Sequence, residues 1–140
     1  MKELFTNLIT INTAPEVIQN ILKNPQHLLE WVPEIQVVNA DHNRFEIKRD
    51  SSALNQQEVL TIATTADSIT YHSTGGRLAY DALFKITATD RKTIVEQTLL
   101  LTDQPSLPLP TGILAPIAKH SFKQNLNALK RLAESIGYQD

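Results

Sequence analysis

The chain has 140 residues, a net charge of −2 and no cysteine. Its length fits one domain spanning residues 1–140, which would bury about two-thirds of its unfolded surface. Disulfides and thiolate metal sites are excluded, the scattered basic residues leave no nucleic-acid footprint, and no stretch approaches the roughly 18 apolar residues of a membrane span. The opening MKELFTNLITIN alternates apolar and polar residues and lacks the continuous apolar run of a signal peptide. A soluble, cytoplasmic protein is predicted, with no membrane insertion and no nucleic-acid partner.

Residues 2–12 alternate as a strand, with Phe5, Ile9 and Ile11 on one face and Thr6 and Thr10 on the other. Thr13-Ala-Pro-Glu16 reads as a capping box, in which the Thr13 hydroxyl accepts from the Glu16 amide and the Glu16 carboxylate reaches back. Pro15 falls in the first turn, where its missing N–H costs little. Val17, Ile18, Ile21 and Leu22 form the apolar stripe of a helix that Asn24-Pro25 ends. One more short turn over residues 26–30 is stopped by Pro33.

Residues 35–39 and 44–49 then form a hairpin around 40–43, and strands follow over 57–64 and 68–74. Gly75-Gly76 suits a two-residue primed turn, pairing Tyr71 with Tyr80 and Ile69 with Ala82. That register collects Ile69, Tyr71, Leu78, Tyr80, Ala82, Phe84 and Ile86 on one face. Thr70, His72, Arg77, Asp81 and Lys85 fall on the other. A second turn near Asp90-Arg91 sets Lys85 opposite Glu96 and places Val95, Gln97, Leu99 and Leu101 on the apolar face. Leu83, Ile94 and Leu100 fall outside: either a partner chain covers them, leaving a homodimer open, or the register slips by one.

Residues 102–112 are a proline-rich loop. An amphipathic helix follows over 113–136, with Pro116 tolerated only in its first turn, so that the regular helix starts near Ala115. Its buried side takes in Leu114, Ile117, Ala118, Ser121, Phe122, Asn125, Leu129, Leu132, Ala133 and Ile136. Lys119, His120, Lys123, Gln124, Asn127, Lys130 and Arg131 lie opposite. Gly137 is the expected C-cap. The fold class is therefore α+β: a strand, two short helices, a curved antiparallel sheet and a long C-terminal helix as the only element able to cover it.

Thr13-Ala-Pro-Glu16 with Val17, then Asn24-Pro25, then Glu30-Trp-Val-Pro-Glu-Ile35, occur in an order that resembles the START-like, pollen-allergen-like superfamily (SRPBCC), with its polyketide cyclase/dehydrase branch. Gly75-Gly76, the strand around Phe84 and the tail Phe122-Lys-Gln-Asn-Leu126 with Leu129-Lys130 and Glu134 add to it. The resemblance implies a helix-grip fold, in which a sheet of seven strands wraps a C-terminal helix around a hydrophobic cavity. Members of the family bind lipids, sterols, polyketides or isoprenoids, and some cyclise or dehydrate them. It specifies a cavity and leaves the chemistry open.

Within such a cavity the candidate lining residues are Trp31, Tyr71, Tyr80, Phe84, Gln97 and Leu99, with Ile117, Ser121, Phe122 and Asn125 from the helix. Trp31 reads first as a core anchor at the helix-to-strand corner and second as a ligand contact. Tyr71 and Tyr80 bring hydroxyls into apolar space, where each needs a partner. Gln97 is an inward amide, costly unless satisfied. Arg49 shares the parity of Phe45 and Ile47. Its preferred place is the strand end, reaching water; the alternative is a cavity arginine that holds a carboxylate or polarises a carbonyl, as the resemblance to aromatase/cyclases implies.

His120 phases toward solvent, His72 sorts outward, and His27 and His42 fall near turns. The histidines show no metal-ligand spacing, and no phosphate loop or nucleophile elbow occurs. No metal or cofactor is expected. Three functions follow: a carrier or sensor of a small hydrophobic or amphipathic molecule, a cyclase/dehydratase using Tyr71, Tyr80, Gln97 and Arg49, or an interaction module presenting Leu83, Ile94 and Leu100.

Overall fold

The structure is a computed structural model that describes residues 2–102 and 110–139. Strand β1 (Lys2–Ile11) leads into α1 (Pro15–Lys23), a 3₁₀ turn (Pro25–His27) and α2 (Leu28–Trp31). Six strands follow: β2 (Ile35–Asp41), β3 (Arg44–Arg49), β4 (Gln57–Thr64), β5 (Ser68–Thr74), β6 (Tyr80–Thr89) and β7 (Lys92–Leu101). The chain closes with α3 (Thr111–Gln139). The expected loop over 102–112 falls largely on 103–109, outside the described residues, and α3 already begins at Thr111.

All seven strands form one antiparallel sheet in the order β1-β7-β6-β5-β4-β3-β2. Consecutive strands β1 and β2 therefore lie at opposite edges. The segment between them must carry the chain across the concave face, and its two helices roof that face. Helix α3 packs along β1 and touches both short helices, which completes the grip. The expected helix-grip is observed.

The stripe of α1 buries Ile18, Ile21 and Leu22, and Asn24 ends the helix while its side chain accepts from the Gln26 amide at 3.2 Å. The capping box does not form. Pro15 occupies the first turn, so Ala14 is the N-cap and no side chain caps the helix. Thr13 instead has a tertiary role: its carbonyl accepts from Thr93 Oγ1 at 2.7 Å, and a Cβ at Gly137 would lie 2.3 Å from its Oγ1. Gly137 is thus a close-approach residue inside α3, not a C-cap.

The β5–β6 register differs from expectation. Tyr71 pairs with Ala82, Ile69 with Phe84 and Ser73 with Tyr80. The turn is a longer loop over residues 75–79, because the Asn55 side chain both accepts from the Leu78 amide and donates to its carbonyl, each at 2.8 Å. Leu78 is thereby bound to Asn55 rather than to β5. The slip is two residues, so every side chain keeps its face. Lys85 faces Glu96 and Phe84 faces Gln97, as expected. Leu83, Ile94 and Leu100 lie outward and half-buried in the correct register, so a one-residue slip is not their explanation.

Leu114, Ala118, Leu126, Leu129 and Ala133 form the buried seam of α3. Ile117 (55 % exposed) and Ser121 leave it, because the seam runs through 114, 118, 126 and 133 and carries those two positions round toward the open side. Pro116 sits within the helix beyond its first turn, where it removes only the bond to the Gly112 carbonyl near the helix start. Lys123 and Lys130 do not extend into solvent. Their ammonium groups donate to the Leu8 and Thr10 carbonyls and so cap the unpaired edge of β1. Glu134 accepts from the Asn12 amide at 2.8 Å, a bond that, with Lys130 beside it, holds this carboxyl below its usual range.

Candidate functional site

Arg49 is the last residue of β3 and follows Ile47 in parity, which turns it under the roof. Its side chain is 11 % exposed, so the strand-end placement in water is corrected. The reason is the partners waiting there. Glu34 takes Nη1, and Glu58 Oε1 takes Nη2 at 2.8 Å. Glu58 is opposite Ile47 on β4, and its side chain is fully buried. Its Oε1 also accepts from the Tyr80 hydroxyl at 3.1 Å, and its Oε2 accepts from Asn55 Nδ2 at 2.8 Å. Burial pulls the Arg49 pKa down, but Tyr80, Glu58 and Glu34 more than offset this, so the guanidinium is held charged. Asn55 thus joins the ion pair to the 75–79 loop. A Cβ at Gly76 would come within 2.6 Å of its side chain, so that glycine is the space in which Asn55 sits.

Tyr71 donates to the Leu22 carbonyl at 2.5 Å, tying the end of α1 to the sheet. Its hydroxyl is therefore committed to the fold. Burial raises the pKa of both Tyr71 and Tyr80 far above the usual phenol value, with Tyr80 adding to the first and Glu58 to the second. A raised folded pKa contributes stability in full below the unfolded value of about 10, and that stability drains away as pH climbs toward the folded value. Folding stability is therefore expected to fall above about pH 10 by up to roughly 1.4 kcal/mol per pH unit for each of the two. Absorbance titration of the phenolates should show both ionising only as the protein unfolds. Ionisation of all the tyrosines near pH 10 in the folded protein, on the model-compound value, would contradict this.

Two spaces meet at this cluster. An inner chamber of about 30 Å³ lies under the roof, among Trp31, Tyr71, Phe84, Gln97 and Asn125. An outer cleft of about 210 Å³ lies between the 52–55 loop, Leu78 and the Ile117–Ser121 face of α3. Arg49, Tyr80 and Phe122 line both, so the two spaces adjoin at these side chains. Trp31 is at once a core anchor, edge-on to Phe84 at 6.4 Å, and a chamber wall. Leu99 is fully buried but lines neither space, so it belongs to the core. Ile117 and Ser121 reach only the outer cleft.

The candidates therefore divide into those of the chamber, those of the cleft and those shared by both. Glu58, Glu34 and Asn55 were missed. Glu58 had a legible signal, since it shares the inward parity of Leu60, whereas Asn55 precedes β4 and had none.

Trp31 Nε1, Arg49 Nε and Gln97 Oε1 are buried and have no hydrogen-bond partner among the described residues. All three side chains line the inner chamber. Buried polar atoms of this kind are costly unless something satisfies them.

No protein-family model matches the chain, and no curated protein sequence matches it. Solved structures do. A START superfamily protein from Mycobacterium smegmatis superposes with a TM-score of 0.79 at 17% identity, covering 94% of this chain and 97% of that one. The Zhui aromatase/cyclase from Streptomyces sp. R1128 gives 0.68 at 12% identity, covering 93% and 92%. The Aha1 dimer from Colwellia psychrerythraea gives 0.67 at 14% identity, covering 96% and 97%. No helix among the described residues is long and apolar enough to cross a membrane. Seven antiparallel strands closed on one long helix, superposing over nearly the whole length of these proteins, give this chain a helix-grip fold like theirs.

Proposed function

We propose that this protein binds a small amphipathic molecule, as a carrier or sensor, with the apolar body in the outer cleft and a polar end in the inner chamber. The observation that carries the reading is the pair of spaces sharing Arg49, Tyr80 and Phe122. The cleft lies below the roughly 300–1,000 Å³ typical of drug-sized pockets, which favours a small lipid-like or polyketide-like compound over a large lipid.

Binding is preferred to turnover because the acid–base groups are already engaged. Both Glu58 oxygens accept hydrogen bonds, and the Tyr71 hydroxyl is spent on Leu22. A cyclase/dehydratase is the second reading. It is favoured by the convergence of Arg49 and Tyr80 on the chamber and by the similarity to the Zhui aromatase/cyclase. Similarity to a protein described as a dimer supports a homodimer, and the cysteine-free sequence supports a cytoplasmic location.

Native mass spectrometry of the purified protein tests the first reading. A retained small-molecule adduct is expected, and its removal should change the emission of Trp31, the sole tryptophan. A protein that stays empty against a broad panel of hydrophobic and amphipathic compounds would refute it.

A further inference from the structure

The inner chamber has a donor and acceptor inventory of its own. Trp31 Nε1–H and Arg49 Nε–H are donors and Gln97 Oε1 is an acceptor, all buried and without a partner among the described residues. Gln97 is 1 % exposed and Trp31 3 %. At about 30 Å³ the chamber takes only one or two water-sized groups, so a single group placed in it shares that space with these three side chains. A group that satisfied all three atoms would accept twice and donate once.

We propose that the polar end recognised here is a hydroxyl, so that the ligand is a phenol or alcohol and Gln97 is the residue that selects it. A hydroxyl carries one O–H donor and two acceptor lone pairs, which matches the inventory. A ketone or carboxylate brings acceptors alone and leaves Gln97 Oε1 unsatisfied. An ammonium brings donors alone and faces the Arg49 charge. An amide or phosphate is larger than the space. Sites built to hydrogen-bond a hydroxyl reject the analogue that lacks it, because their own buried groups are then stranded. Gln97 holds this place because Val95 and Leu99 flank it on the inward side of β7, opposite Phe84. Its amide therefore cannot turn to solvent without moving the strand.

The inference rests on the binding reading above, and the test separates the two. The probes are para-butylphenol and para-butylfluorobenzene, nearly equal in size and differing in the O–H. Binding to the whole protein is followed by NMR at the indole N–H resonance of Trp31, single because the chain has one tryptophan. The phenol is expected to bind about tenfold more tightly, the worth of one well-made hydrogen bond, and to shift that resonance. In Gln97→Met, which keeps the side-chain length and removes the acceptor, the preference should fall at least about threefold, the bonds accepted from Trp31 and Arg49 remaining, while both probes still bind. Equal affinities in the unmodified protein would overturn the hydroxyl inference and leave the binding reading standing. So would a phenol preference that is undiminished in Gln97→Met. Failure of both probes to bind would overturn the two together.

Discussion

Replacing Glu58 with alanine is expected to cost about 3–5 kcal/mol of folding stability, the range for stranding one partner of a buried ion pair. The side chain is wholly buried and satisfies three donors: Arg49 Nη2, the Tyr80 hydroxyl and Asn55 Nδ2. Its loss leaves the guanidinium with the Tyr80 hydroxyl, 3.5 Å from Nη2, and with Glu34, whose carboxylate is partly open to water. Asn55 loses the carboxylate that orients it, and with it the hold on Leu78 weakens. The cost is one of desolvated charge rather than of attraction, so removing both charges should be far milder than removing one. Urea denaturation of Glu58→Ala, Arg49→Met and the double variant checks this. The double variant is expected to recover at least about 2 kcal/mol relative to the sum of the singles, within the coupling seen for contacting residues. Additive single effects, or a Glu58→Ala cost under about 1 kcal/mol, would show that the pair is solvated and that Arg49 is not held by it.

The same cluster explains what was and was not legible in the sequence. Face assignment survived because it depends only on parity. The β5–β6 register was expected wrongly by two residues, yet Tyr71, Tyr80 and Phe84 still arrived under the roof. The register error arose from Asn55, distant in sequence, whose side chain replaces cross-strand bonds at Leu78. No local turn rule contains such a contact.

Arg49 was placed at the water because strand ends usually are. A buried arginine requires a buried carboxylate, and Glu58, in phase with Leu60, was the neglected half of that inference. The capping box failed for a similar reason. Thr13 has a local use and a tertiary one, and contact with Thr93 and Gly137 prevails. Ile117 and Ser121 show the limit of helical periodicity: it finds the seam, but not which flank opens onto a cleft.

Truncation of Phe84 to alanine is the second large effect, at about 3–5 kcal/mol for a buried phenylalanine. The ring is 1 % exposed and stands edge-on to both Trp31, at 6.4 Å, and Tyr71, at 5.3 Å. It is also a wall of the inner chamber. Two consequences of opposite sign follow from one deletion. Stability falls, because the chamber lining loses its packing partner and the roof helices lose their floor. Room rises, because the vacated volume joins a space that now takes only one or two water-sized groups.

Chemical denaturation should report the loss, and Trp31 emission should move to the red as water reaches the indole. Phe84→Leu, which leaves a smaller cavity, should cost less than Phe84→Ala. A larger polar head that the unmodified chamber excludes should then bind to Phe84→Ala and restore part of its stability by mass action. If Phe84→Ala lost under about 1.5 kcal/mol, below the range for removing a buried ring, or left the Trp31 emission unchanged, the chamber would not be a packed, water-scale space walled by this ring. The size limit it sets on the ligand's polar end would then fall with it.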